Sequence, residues 1–174
     1  MSLLRAYSSA SLRRPYLVGS LTAGTLFGVG DCIAQKGIEK NDGYDVARTA
    51  RLVVWGSAIF APLVTRELRL LSRIEFASKP ATIAARVAAD QLLFTPAVLA
   101  GFFTYSALAE GGSTADVRKK LSDKYQPTLL KNWQLWMPTQ IVNFSLVPIQ
   151  LRALVINAVA LGWNTYLSLA NAKK

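Results

Sequence analysis

The chain alternates long uncharged runs with short charged ones. Tyr16 to Gln35 holds one charged residue, Asp31. Leu52 to Thr65 holds none and is bracketed by Arg51 and Arg66. Gln91 to Ala109 and Asn132 to Leu151 hold none, and beyond Arg152 another uncharged run continues from Ala153 to Ala172. A helix needs about 20 apolar residues to cross a bilayer core, and all but the second run meet or approach that length. In the second, Arg48, Arg51, Arg66 and Arg69 can lay apolar stems along the helix and turn their heads outward. The runs are too long for strands, and apolar positions do not alternate with polar ones. The pattern predicts an all-α integral membrane bundle of four transmembrane helices, at about 16–36, 48–71, 84–109 and 129–147. A C-terminal fifth helix, at about 149–170, either spans or lies in the interface. Together they form one transmembrane domain, 16–172, behind a basic flank, 1–15.

The connections carry their own signals. Asn41-Asp42-Gly43 marks a turn between the first two spans. After Gly111-Gly112, Ser113 stands three residues before Asp116, in the manner of a capping box. Val117, Leu121 and Tyr125 follow at helical spacing, among Arg118, Lys119, Lys120 and Lys124. This predicts an amphipathic helix, 113–125, lying on the membrane surface and ended by Gln126-Pro127.

Composition sharpens the picture. Of 174 residues, 17% are charged, against about 25% in soluble domains. A chain this short exposes much of its surface, so five apolar helices would be poorly covered in water. The net charge is +10, yet Lys and Arg are scattered over every loop and both termini. No nucleic-acid partner is expected, since that needs a clustered basic face. Membrane lipids, above all anionic phospholipid, fit better. Residues 1–30 carry Arg5, Arg13, Arg14 and several serines with no acidic residue. That composition suits a mitochondrial targeting segment, and equally a basic flank before a first span.

Catalytic chemistry is not visible. There is no histidine and one cysteine, Cys32, so neither a conventional triad nor a multi-cysteine metal site can be built. Gly28-Val29-Gly30 lies inside an apolar run with no strand before it, so it is not a nucleotide-binding turn. No metal, cofactor or enzymatic activity is expected, and Cys32 reads as a small buried hydrophobe.

The polar residues inside the runs are the candidates for function. An ionisable group at the centre of a membrane helix costs about 3 kcal/mol, so each needs a partner or an aqueous surface. Asp31 and Gln35 share a face with Gly28, while Ser20, Gly24 and Gly28 make a small-xxx-small track for close helix approach. Asp31 either lines a water-filled path or clamps helices together. Arg86 and Asp90 are spaced for an intrahelical ion pair. Gln91 follows, and Pro96 removes a backbone bond that another helix must replace. Trp133, Trp136, Gln140 and Asn143 fall on one face of the fourth span. Arg152 opens the last run, where Asn157 and Asn164 stand seven apart. The amides either bond between helices or line a lumen, and Trp133, Trp136 and Trp163 fit interfacial anchoring.

Several of these positions form a familiar set. Gly30-Asp31-x-x-x-Gln35, Asp90-Gln91 with Pro96, and Trp133-x-x-Trp136-x-Pro138-x-Gln140-x-x-Asn143-Phe144 lead to Val147-Pro148-x-x-x-Arg152 and Trp163-Asn164-x-Tyr166-Leu167-Ser168. The chain resembles the Mpv-seventeen / peroxisomal membrane protein family over nearly its whole length. Leu4 to Tyr7 and Leu21 to Gly24 are most similar to its mitochondrial inner-membrane branch, which includes the fungal stress and ethanol-metabolism member. It departs from the family pattern at the end of the second span, with Ala61-Pro62 for Gly-Pro and Glu67-Leu68 for a Trp-Tyr pair. The resemblance implies a four-helix protein of the mitochondrial inner membrane or, alternatively, the peroxisomal membrane. It also implies links to channel-like conductance, mitochondrial DNA maintenance and stress response. The expected function is a small channel for ions or metabolites, alone, as a homo-oligomer or in a larger complex; the alternative is a non-conducting scaffold or assembly factor.

Overall fold

The computed structural model describes residues 3–40, 42–146 and 152–172. Every regular element among them is a helix. We number six: α1 (Leu3–Arg13), α2 (Pro15–Ile38), α3 (46–71), α4 (Lys79–Ala109), α5 (Thr114–Ser145) and α6 (Arg152–Ala172). Three of them widen into π-helix within their length: α2 over Ile33–Ile38, α3 over Trp55–Phe60 and α4 over Asp90–Phe94. Two, α2 and α4, are long and apolar enough to cross a membrane by length and hydropathy.

Local chemistry sets the ends. Pro15 opens α2 at a position where its missing N–H is not needed. The Asp45 carboxylate accepts from the Arg48 amide and caps α3. Helix α4 closes on Gly111, at φ +82°, with Gly111 N–H bonded to Leu108 O and Gly112 N–H to Ala107 O. This is the left-handed stop that glycine permits. Ser113 and Asp116 then cap α5 reciprocally, as the spacing predicted. The Ser113 hydroxyl, and after it the Ser113 amide, hold the Asp116 carboxyl below its usual range.

Helix α5 departs from expectation. It runs unbroken for 32 residues through Pro127 and Pro138, so 113–125 is its first part, not a separate helix ended at Gln126-Pro127. Pro127 deprives only the Asp123 carbonyl, and both residues are exposed, so that carbonyl can be solvated from outside. Beyond it Thr128, Leu129 and Asn132 are buried, and that packing carries the helix past the proline. At about 1.5 Å per residue α5 is longer than a hydrocarbon core of about 30 Å. Val147, where the fourth span was expected to end, and residues 149–151, at the expected start of the fifth, lie outside the described residues.

The chain divides into two compact units, residues 1–65 with 147–174, and residues 66–146. In the first, α2 packs on α3 and α6. The small-residue track does what its spacing predicted: a Cβ on Gly24 would meet Ser57 at 3.2 Å, and one on Gly28 would meet Val53 at 3.1 Å. Phe27, Leu52, Trp55, Ala61, Trp163 and Leu167 are buried there. In the second unit α4 packs along α5 over Leu99, Phe102, Phe103, Ala107 and Leu129.

Beside this apolar core, ionisable and amide groups are buried while large apolar side chains face outward. Asp31 and Gln35 are 0% exposed, while Leu92 and Leu93 are 57% and 72% exposed. Leu17, Leu21, Leu63, Ile83 and Ile141 are exposed as well. Polar groups turned inward and leucines turned outward suit a hydrocarbon solvent. Cys32, expected as a buried hydrophobe, is exposed with this apolar face; its neighbour Asp31 takes the inward position.

Candidate functional site

Two polar clusters lie inside the helices, one in each unit. The first is built on Asp31, in the last α-helical turn of α2. Asp31 Oδ1 lies 2.8 Å from Arg48 Nε, without the alignment of a hydrogen bond, and accepts from Ser168 Oγ at 2.5 Å. Its Oδ2 accepts from Thr49 Oγ1 at 2.5 Å and from Gln35 Nε2 at 2.8 Å. Gln35, one helical turn on, also closes the loop: its Oε1 accepts from the Asp45 amide at 2.7 Å. Arg48 holds Glu39 in a fork, with Nη1 and Nη2 each 2.9 Å from a carboxylate oxygen, and donates to Ser168 Oγ at 2.6 Å. Ser168 therefore accepts from the arginine and donates to the aspartate, joining α6 to α2 and α3.

This arrangement is closed. Both Asp31 oxygens are filled, and the cluster carries two carboxylates against one guanidinium. Arg48 was expected to turn its head outward; it turns inward, because the charge on Asp31 is fully buried and needs a counter-charge. Both Asp31 oxygens are thus engaged by side chains of α2, α3 and α6, the arrangement that a clamp between helices requires. Such a pair adds little net stability against an apolar replacement, but losing one partner leaves a stranded charge.

The second cluster surrounds the π-turn of α4. There Thr95 N–H reaches back five residues to Asp90 O. In the same register residue 96 would bond Gln91 O, but Pro96 has no N–H. The Trp133 indole takes the vacancy, donating to Gln91 O at 2.8 Å. The backbone acceptor freed by Pro96 is thus satisfied from α5, as a buried carbonyl in lipid requires. Trp133→Phe should cost about 1–3 kcal/mol by stranding that carbonyl. Adding Pro96→Ala should recover part of the loss, because it restores an N–H in register. Unfolding midpoints of the two variants in detergent micelles check this, and absence of recovery would refute the assignment.

Around the same turn, Gln91 Nε2 donates to Asp90 Oδ2 at 2.6 Å. Glu67 Oε1, Gln91 Oε1, Asn132 Oδ1 and Gln140 Oε1 are buried with no hydrogen-bond donor. All four belong to the second unit.

The remaining candidates divide. Arg86 does not pair with Asp90: Nε and Nη2 donate to the carbonyls of Ile74 and Ser72, at 3.0 and 3.2 Å. The carbonyls of the connecting loop outcompete the intrahelical partner, and Asp90 accepts from Gln91 instead. Asn164 is buried and Asn157 half-buried on α6. Trp163 is buried against Tyr166, ring centroids 5.2 Å apart, rather than lying free at an interface. Trp136 and Gln140 are half-buried. The side chains of Asn143 and Arg152 lie outside the described residues. Sequence reasoning missed Glu39, Arg48 and Thr49 as members of the first cluster, and Glu67 as a buried acid. Arg48 had a signal: it opens the helix that follows the turn after Asp31, at a depth where a lone acid needs a base. Among the described residues, no group of three or more histidine, cysteine, aspartate or glutamate side chains could hold a metal ion.

Comparison with known proteins adds the lineage. Residues 107–168 match the profile of the Mpv17 / PMP22 family, a range that contains Trp133 and Ser168. The chain is 41% identical to Protein SYM1 of Eremothecium gossypii, over 98% of this chain and 97% of that protein. It is 40% identical to Protein SYM1 of Saccharomyces cerevisiae, over 99% and 92%, and 42% identical to Protein sym1 of Aspergillus oryzae, over 98% of each. No solved structure matches. With nearly end-to-end likeness to several of these proteins and the family profile covering the segment that supplies Trp133, Asn164 and Ser168, the chain belongs to the Mpv17 / PMP22 family.

Proposed function

We propose that the protein is a small, non-enzymatic channel of the mitochondrial inner membrane, passing ions or metabolites in support of mitochondrial DNA maintenance and the stress response. Four spans and the interfacial or spanning α6 carry it, in contact with anionic phospholipid, alone or as an oligomer. The observation that carries this reading is the set of donorless oxygens of the second unit. Buried acceptors without donors are costly and scarce in folded proteins, and within apolar helices they call for water or a passing solute. Gln91, Asn132 and Gln140 then line the wet surface, and the Asp31 cluster holds the helices in place. The basic flank, 1–15, and the resemblance to the mitochondrial branch support the location.

The test is solute flux through purified protein in liposomes. Wild type should release entrapped potassium ions or small metabolites, and Gln140→Leu should lower the rate severalfold with the fold intact. The closed Asp31 cluster favours the second reading, a non-conducting scaffold whose polar groups serve packing. Absence of flux at any potential, with a stable co-purifying partner, would decide for the scaffold.

A further inference from the structure

Pro96 and Pro138 create the same need on the two packed helices of the second unit. Pro96 leaves Gln91 O without its in-register N–H, and the Trp133 indole supplies one at 2.8 Å. Pro138 stands in the α-helical run of α5, where residue 138 would bond the carbonyl of Gln134. No side chain among the described residues donates to that carbonyl, and the Gln134 side-chain amide forms no hydrogen bond there either.

Gln134 points away from the packed side of α5. Asn132 is buried and Trp133 bonds to α4, while Leu130, Gln134, Pro138 and Ile141 are exposed. These four fall at i, i+4, i+8 and i+11, one stripe along the helix. Lys131 lies about 60° round from Gln134, at about 100° per residue, and so at the edge of the stripe. The bond from Trp133 to Gln91 sets this level of α5 beside the middle of α4, one of the two helices long and apolar enough to cross a membrane. Lipid tails offer neither donors nor acceptors at that depth. A single turn thus presents two unmatched oxygens, one on the main chain and one on the side chain, beside an unused amide N–H.

A second copy of the chain supplies what this turn lacks. Copies inserted in the same sense are related by an axis along the membrane normal, so identical residues meet at identical depth. Gln134 carries both donor and acceptor, which makes the patch complementary to itself. Leu130 and Ile141 meet their own counterparts on either side of it. Lys131, at the rim, can carry its ammonium towards the headgroups on an apolar stem, so like charges do not meet at the centre.

We propose that the face of α5 formed by Leu130, Gln134, Pro138 and Ile141 joins two copies of this chain. Each Gln134 amide donates to an oxygen of Gln134 in the other copy, on the side chain or on the carbonyl that Pro138 frees. The inference goes beyond the conduction reading, and it stands whether the assembly conducts or only scaffolds.

The experiment measures energy transfer between full-length copies in phosphatidylcholine liposomes, with donor and acceptor dyes on a carboxyl-terminal tag and the protein-to-lipid ratio varied. Wild type should associate saturably as its density rises. Gln134→Leu should move the association midpoint to about fivefold higher density or more, with helix content and unfolding midpoint unchanged. Pro138→Ala returns an N–H to the Gln134 carbonyl and should move the midpoint the same way by less. Leu92→Ala, on the exposed face of α4, should associate as wild type does. In a Cys32→Ser chain, Gln134→Cys should cross-link between copies on oxidation and Leu92→Cys should not. A wild type that stays monomeric at every density would overturn the proposal. So would Gln134→Leu associating as wild type does, or cross-linking through Leu92→Cys in preference to Gln134→Cys.

Discussion

Asp31→Ala is expected to destabilise the protein by about 3–5 kcal/mol, the cost of breaking a buried ion pair from one side. The variant would leave Arg48 partly enclosed with Glu39 as its remaining acid partner among the described residues, and would strip Ser168, Thr49 and Gln35 of their common acceptor. Because Ser168 ties α6 to α2 through this carboxylate, the loss should be felt first at α6. Hydrogen exchange should rise over 152–172 before it rises in α4. Arg48→Met should be comparably harmful, since it strands Asp31 at full burial. The double variant Asp31→Leu with Arg48→Met should lose less than either single change, because no lone charge remains. Chemical unfolding of the three proteins in micelles gives the comparison. An additive double variant would show that the two residues do not act as a pair. If Asp31 instead lined an open path, Asp31→Asn would alter ion selectivity and leave stability nearly intact.

Gly30→Ala should have the second largest effect, about 1–3 kcal/mol from overpacking. A Cβ there would stand 3.0 Å from Asn164 Cβ and from the Thr165 main-chain nitrogen, and 3.1 Å from the Asn164 carbonyl carbon. Two of these three atoms are backbone, so the strain can be relieved only by moving α6 away from α2. Ser168 lies one turn beyond Asn164, and the same movement would draw its hydroxyl from Asp31. Gly162→Ala is the control on the same helix. Its Cβ would meet nothing within 4 Å, so the change should be neutral or should stabilise by up to about 1 kcal/mol through helix propensity. Unfolding midpoints of the pair should move in opposite directions or, at the least, by clearly different amounts. Equal losses would mean that the α2–α6 contact is not the tight one.

How far these features could be read in advance depended on the range of the interaction. The capping box at Ser113 and Asp116, the stop at Gly111-Gly112 and the track of Gly24 and Gly28 are local or periodic, and they stand where the spacing put them. The same holds for the need created by Pro96: a missing N–H is a property of the residue, whichever group makes it good. Pro127 shows the limit. A proline forbids one bond, but whether the helix stops there depends on what else holds it, and Thr128, Leu129 and Asn132 are buried just beyond. Arg86 shows the same limit for charge. At i and i+4 from Asp90 the intrahelical pair is permitted, yet the carbonyls of Ser72 and Ile74 come closer to hand once the loop is folded.

What the residues by themselves determined was the class of solvent and the inventory of needs: apolar runs that belong in hydrocarbon, helices that follow from them, and a few acids and amides that must find partners. These follow from transfer free energies and backbone hydrogen bonding, which act residue by residue. Tertiary structure alone decided who answers each need. It set Arg48 and Ser168 on Asp31 across 17 and 137 positions of sequence, and gave Gln91 O to Trp133. Nothing in local spacing encodes those choices, because they are fixed by which helix faces meet when all the apolar surface is shared out at once.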